Sequence, residues 1–208
     1  MQLIGQFDSP FVRRVGLALT RYGMAFEHLP YGSFSDSDQF VVHNPLRRVP
    51  TLVLDSGEVL IDSYAILDHL DETHGRDRAL IAASGPERRE ALRRCAIATG
   101  IADKSVNFFY ARTFATALAP EFIARTEGQI LAGLAELDRE CAARSGDWWF
   151  GAEPGHDDNI AACIARFTSE VYAHIVKLAD FPALADHSAR AEARAEFQAI
   201  QQAFIPPA

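Results

Sequence analysis

The chain has 208 residues, 49% hydrophobic and 23% charged, with 13 Gly and 10 Pro, which is ordinary globular composition and enough length for one large or two small domains. Lys and Arg number 20 against 28 Asp and Glu, a formal net charge of -8, so the chain lacks the clustered cations that nucleic acid or an anionic membrane calls for. Met1–Asp8 has neither a charged leader nor a long apolar core, and no stretch approaches 18 unbroken apolar residues, so a cytoplasmic protein is expected.

In chain order, Gln2 to Phe7 alternates Leu3, Gly5 and Phe7 with their neighbours and reads as a first strand. Asp8-Ser9-Pro10 interrupts it. Pro10 fits the first helical position and Ser9 the N-cap, with Phe11, Val15, Ala18 and Tyr22 following at helical spacing and Gly23 closing the helix. Ala25–Leu29 reads as a second strand, and residues 31 to 43 as a loop or short helix. Thr51 to Leu54 and Val59 to Ile61 are apolar runs joined by Asp55-Ser-Gly-Glu58, where Gly57 can supply the φ > 0 of a hairpin turn. Ala65, Ile66, Leu67 and Leu70 then repeat with helical spacing, and Ser63 stands where an N-cap belongs.

After the polar connector Asp71–Ala83 strand signals cease. Ser84-Gly-Pro-Glu87 reads as a capping box opening a long helix to about Leu118, and Pro120 restarts a helix to Arg144, an expected antiparallel pair. Asp147-Trp-Trp-Phe-Gly151 is an aromatic knot in which Trp148 and Trp149 are assigned to packing. Gly155-His-Asp-Asp-Asn159 opens a helix from Ile160 to about Lys177, Pro182 begins a shorter one, and Ala189 to Phe204 reads as the last. The expectation is an α/β domain over 1–76, strand-helix-strand then hairpin-helix as in thioredoxin-like folds, and an all-helical domain over 86–208. Cys95, Cys141 and Cys163 are odd in number, far apart and within helical patterns, so buried reduced thiols are expected. His69 and His74 lack metal-ligand spacing, and no metal is expected.

Two places carry chemistry. The strand-to-helix junction at Asp62-Ser63 suits an amino acid: helix N–H groups and the Ser63 hydroxyl meet a carboxylate, and Asp62 an ammonium. Val49-Pro50 either simply starts a strand or, if its bond is cis, presents the Val49 N–H and C=O to a peptide-like ligand. At Ser9, a hydroxyl at a helix N-terminus can stabilise a thiolate. A free thiol has pKa about 8.5, and lowering it by about two units, worth roughly 2.7 kcal/mol, makes it mostly anionic at pH 7.

The order Val49-Pro50, apolar hairpin, Asp62-Ser63, amphipathic helix resembles the glutathione site of the glutathione S-transferase family, and Ser9-Pro10-Phe11 resembles the catalytic turn of its serine-type members. The resemblance spans nearly the whole chain. It implies that Val49 beside Pro50 binds the cysteinyl backbone, that Asp62 and Ser63 hold the γ-glutamyl end, and that Ser9 donates to the sulfur. Arg47 or Arg48 could then reach the glycyl carboxylate, since Arg pairs bidentately with carboxylates. The electrophile would sit against apolar side chains, with Phe7, Phe11, Phe108, Phe109, Tyr110 and Phe114 as candidates. The implied function is conjugation of the glutathione thiolate to a small hydrophobic electrophile by a detoxifying homodimer. Alternatives are a non-catalytic glutathione-binding or regulatory protein, or a glutathione-dependent peroxidase or isomerase. Ser9 in place of cysteine disfavours mixed-disulfide chemistry. One departure stands out: where the family carries Ser or Thr and, three residues on, Asp, the matching positions are read as His156 and Asn159, with Asp157 as the replacement cap.

Overall fold

The computed structural model describes residues 1–204 and 206. These form two compact units, one comprising Met1–Ala83 with the described residues from Ala193 onward, the other Ser84–Glu192.

In the first unit, β1 (Gln2–Ile4), β2 (Glu27–Leu29), β3 (Thr51–Val53) and β4 (Val59–Ile61) make one sheet in the order β2-β1-β3-β4. β1 runs parallel to β2, with Leu3 opposite His28, and antiparallel to β3, with Leu3 opposite Leu52; β3 and β4 form the expected hairpin, Leu52 opposite Leu60. A parallel pair needs a crossover. Helix α1 (Pro10–Arg21) supplies it, and α3 (Ser63–His74) packs on α1. Leu3, Ile4, Val12, Val15, Leu52, Ile66 and Leu70 are buried to within 1% and form the core. The strands are shorter than their apolar runs. β1 stops at Ile4 because Gly5 turns to φ 128, a conformation that leaves the ladder and that only glycine adopts readily. Residues 31 to 43 contain a one-turn helix, α2 (Ser37–Phe40).

Tyr22, at the C-cap of α1, ties three segments together. Its hydroxyl donates to Asp71 of α3 and accepts from the Leu80 N–H at 2.8 Å, while its ring stacks on His74 at 4.1 Å. Burial, reinforced by Asp71, pushes the phenol pKa up, so it stays a donor.

In the second unit α4 (Gly85–Phe114) and α5 (Pro120–Ala143) are antiparallel, as Arg93 meets Glu136 and Glu140 while Arg112 meets Glu127. Gly133 lets them approach: a Cβ there would lie 2.5 Å from Ile101 Cγ1. α6 (His156–Val171) packs against α4, and α7 (Pro182–Glu192) against α5 and α6. No helix among the described residues is long and apolar enough to cross a membrane. All three cysteines are buried, and burial pushes the Cys141 thiol up to about 12.

Several expected boundaries change. The Ser84 side chain makes no cap bond, so the capping box with Glu87 does not form, and α4 ends at Phe114 because Ala115 is extended. α6 starts earlier, at His156, and its cap is Asp158 rather than Asp157: Asp158 accepts the N–H groups of Gly155 at 2.9 Å and Trp149 at 3.1 Å. The acid three residues after the N-cap is therefore present, with Gly155 in the Ser or Thr position, and Asp157 is left to pair with Arg94 at 2.8 Å. The last expected helix is broken by an extended Arg194 into α7 and α8 (Ala195–Ala199). The domain expected over 86–208 needs the same amendment. The described residues from Ala193 onward pack in the first unit, where Arg13 donates to the Phe197 carbonyl at 3.1 Å and Gln202 accepts the Phe7 N–H at 2.9 Å. Positions 205, 207 and 208 of that expected domain lie outside the described residues.

Candidate functional site

One depression in the first unit is lined by Phe11, Asn44, Leu46, Arg48, Val49, Pro50, Ile61, Asp62 and Ser63. It brings together Arg48, Val49, Pro50, Asp62 and Ser63, but neither Ser9 nor Arg47. Residues remote in sequence meet there because β3 and β4 pair, bringing the segment before β3 beside the end of β4 and the start of α3.

The segment before β3 is shaped by Asn44, only 1% exposed. Its amide donates to the Arg48 carbonyl at 2.8 Å and to Thr51 Oγ1 at 3.0 Å, and its carbonyl oxygen accepts the Leu46 N–H at 3.0 Å. Such a fully engaged amide holds the loop in one conformation. The Val49-Pro50 bond is cis, and Val49 precedes the residues of the β3 ladder. Gly5 makes room for it: a Cβ at Gly5 would stand 2.7 Å from Val49 Cβ and 2.5 Å from Val12 Cγ2. Sequence reasoning had no role for Asn44 or Gly5. An Asn just before a Pro marks a turn, which accounts for the bond from Leu46 N–H, but it does not announce the bonds to the Arg48 carbonyl and Thr51 Oγ1.

Of the two arginines, Arg48 lines the depression. Arg47, at φ 52, instead turns to α2, with Nη1 3.0 Å from both Ser37 Oγ and Asp38 Oδ1. The geometry thus separates two adjacent residues of one type.

At the start of α3 the expected N-cap shifts by one residue. Asp62, not Ser63, is the cap; its Oδ1 accepts the Tyr64 N–H at 2.8 Å. Its backbone stands at φ 71, rare for a residue with a Cβ and costing about 1 to 3 kcal/mol where it persists. Ser63 is the first residue of the helix, 3% exposed, and its Oγ accepts from Arg14 Nη2 at 2.8 Å. Arg14 is itself 1% exposed, its guanidinium 4.4 Å from the centroid of the Tyr64 ring. A buried cation aimed at the site was the second omission; two adjacent Arg in an amphipathic helix look like its solvated face.

Ser9 is the N-cap residue of α1 with an extended backbone, but its side chain makes no cap hydrogen bond. Its hydroxyl is therefore not spent on the helix. Pro10 occupies the first turn, and Phe11 lines the depression, whereas Ser9 is not among its lining residues.

The aromatic candidates divide. Phe7 is stacked on His28 at 3.8 Å, and its ring lies against Gly16, which places it in the packing of the first unit. Phe109, Tyr110 and Phe114 lie along the end of α4 in the second unit, Tyr110 between the other two, with Phe114 53% exposed. Phe108 is buried on Tyr172 at 5.9 Å. Trp148 and Trp149 pack on His187, as expected of packing residues. Among the described residues no group of three or more His, Cys, Asp or Glu could hold a metal ion.

Residues 3–79 match the family model for the glutathione S-transferase N-terminal domain. The chain is 39% identical over 74 residues to the uncharacterized GST-like protein YibF of Escherichia coli (strain K12), covering 34% of this chain and 35% of that protein. It is 33% identical over 105 residues to maleylacetoacetate isomerase of Pseudomonas aeruginosa, 48% of this chain and 49% of that protein. The chain thus matches between a third and a half of the length of these relatives. A solved structure, a Methylobacterium radiotolerans glutathione S-transferase in complex with glutathione sulfonate, aligns over 100% of this chain and 98% of that one at 28% identity, with a TM-score of 0.87. The first unit is thus matched over residues 3–79 by the glutathione S-transferase N-terminal domain, and the chain throughout shares the fold of a solved glutathione S-transferase.

Proposed function

We propose that this chain conjugates the glutathione thiolate to a small hydrophobic electrophile. The observation that carries the reading is the single depression shared by Arg48, Val49, Pro50, Asp62 and Ser63. Each part of a γ-glutamyl tripeptide has a chemical counterpart in it: a carboxylate (Asp62) for the ammonium, a hydroxyl with helix N–H groups (Ser63) for the α-carboxylate, the backbone N–H and C=O of Val49 for the cysteinyl amide, and a guanidinium (Arg48) for the glycyl carboxylate. Ser9 donates to the cysteinyl sulfur. Its hydroxyl proton, not used in capping, and the partial positive charge of the α1 N-terminus both favour the thiolate. The sulfur lone pair then forms the S–C bond as the leaving group departs with its electron pair. Phe11, in the same depression, supplies apolar surface for the electrophile. The working form is a cytoplasmic homodimer, as the family resemblance implies.

A second reading is favoured by one relative: the Pseudomonas aeruginosa protein is a maleylacetoacetate isomerase. Cis-trans isomerisation through reversible thiolate addition uses the same Ser9 and the same tripeptide site. The test is turnover of an activated aryl halide and of maleylacetoacetate, each with glutathione and with the desthiol tripeptide. Conjugate formation with the aryl halide supports transfer; isomerisation alone supports the second reading. Glutathione binding without turnover of either would leave a non-catalytic binding protein and overturn both.

A further inference from the structure

Arg14 lies inside the first unit, one turn into α1, and nothing in the conjugation scheme uses it. Its Nη2 donates to Ser63 Oγ at 2.8 Å, its guanidinium covers the Tyr64 ring at 4.4 Å, and both Arg14 and Ser63 are at least 97% buried. A guanidinium has donors only. Ser63 Oγ must therefore spend a lone pair on Arg14, and its own O–H proton is left for another acceptor. Ser63 lines the depression, where a ligand oxygen can serve as that acceptor.

Without Arg14 the rotor would be free to turn. A serine hydroxyl in a helix commonly donates to a backbone carbonyl of its own segment, which would withdraw the proton from the ligand. Asp62 supports the arrangement from the other side: it caps Tyr64 N–H, so Ser63 is not needed as the cap. The Tyr64 ring, 40% exposed, holds the guanidinium plane from the solvent side.

We propose that Arg14 is a positioning residue for the amino-acid end of the ligand: by occupying the acceptor side of Ser63 Oγ it aims the Ser63 hydroxyl at the ligand's α-carboxylate. This rests on the reading that Ser63 receives the γ-glutamyl α-carboxylate of glutathione. Arg14 touches no reacting atom and acts through Ser63.

The experiment is a calorimetric double-mutant cycle on the full chain with Arg14→Met, Ser63→Ala and both, titrated with glutathione and with the analogue whose γ-glutamyl α-carboxylate is a primary amide. Arg14→Met should weaken glutathione about tenfold, the range expected for one hydrogen bond to a charged group. It should weaken the amide analogue much less, and the double variant should bind no worse than Ser63→Ala. General damage to the fold would weaken both ligands alike. Equal loss for both ligands, or losses that simply multiply in the double variant, would overturn the proposal while leaving Ser63 as a ligand residue. If Ser63→Ala binds glutathione as wild type does, the reading beneath it fails, and the proposal with it. Should Arg14→Met not fold, Tyr64→Leu at a partly exposed position carries the test: about threefold weaker glutathione binding with Ser63 present and no change in the Ser63→Ala background, with equal effects in both backgrounds overturning it.

Discussion

Asp62 accepts the Tyr64 N–H at 2.8 Å while standing at φ 71, so one residue both closes the first turn of α3 and turns the chain out of β4. Its second carboxylate oxygen is left to the depression. Asp62→Asn separates these tasks, because asparagine caps about as well and tolerates positive φ, but cannot pair with an ammonium. Stability should change by less than about 0.5 kcal/mol, while the KM for glutathione rises about five- to tenfold at nearly constant kcat. Asp62→Ala should lose about 1 kcal/mol of stability as well. Unchanged glutathione affinity in both variants would remove Asp62 from the site.

Ser9 makes no cap bond, which sharpens the test of its role. Ser9→Ala should destabilise the chain by well under the 0.5 to 2 kcal/mol usual for losing a capping side chain. Conjugation at about pH 6.5 should nevertheless fall by roughly one to two orders of magnitude, the effect of one hydrogen bond to a charged acceptor, and recover in part at higher pH. The measurement is the ultraviolet thiolate absorbance of bound glutathione against pH. Superimposable titrations in wild type and variant would exclude Ser9 from thiolate stabilisation.

Gly5 lies beneath Val49, and an added Cβ would meet Val49 Cβ at 2.7 Å in a backbone held at φ 128. Gly5→Ala should destabilise the chain by about 1 to 3 kcal/mol through strain and overpacking, and should lower glutathione affinity because Val49 must move. Denaturant melts give the first and calorimetry the second. A variant as stable as wild type would show that the Val49 segment is free to shift.

In the second unit Arg144 Nη1 lies 3.0 Å from His187 Nδ1, and His187 Nε2 lies 3.1 Å from the Asp158 carbonyl. Since arginine only donates, Nδ1 accepts and Nε2 carries the proton, so the ring is neutral. Burial lowers its pKa to about 4. The unfolded ring, near 6.5, takes up a proton that the folded ring refuses, so stability from this group is present above about pH 6.5 and lost as pH falls toward 4. Asp158 works the opposite way. Burial, with the charge of Asp157 second, raises its carboxyl to about 7, so its contribution is complete below about pH 4 and lost as pH rises through 7. His187→Gln keeps a donor for the Asp158 carbonyl and removes only the first effect. Relative to wild type, the variant should gain about 3 kcal/mol between pH 7 and pH 4, read from chemical melts. A constant difference across that range would contradict the neutral ring.

Much of this was readable locally. Val49-Pro50, the Gly57 turn and the change from alternating to helical spacing after Ile61 are short-range signals, each decided by the chain's own steric preferences, and together they specify the hairpin-helix half of the site. The order of elements carried the thioredoxin-like topology, since a strand, helix, strand run admits few parallel pairings. Position within a pattern was less secure. Asp62 and Ser63 are both good caps by type, as are Asp157 and Asp158, and only the folded geometry chose which carboxylate meets which N–H. Arg47 and Arg48 are identical in composition and adjacent; α2 drew one aside, and the depression kept the other. Arg14, Asn44 and Gly5 act across 49, 7 and 44 residues of sequence respectively, on Ser63, Thr51 and Val49. No local propensity encodes such contacts, because a buried guanidinium or amide is tolerated only once the partners that satisfy it have been brought together by the sheet and helices around it.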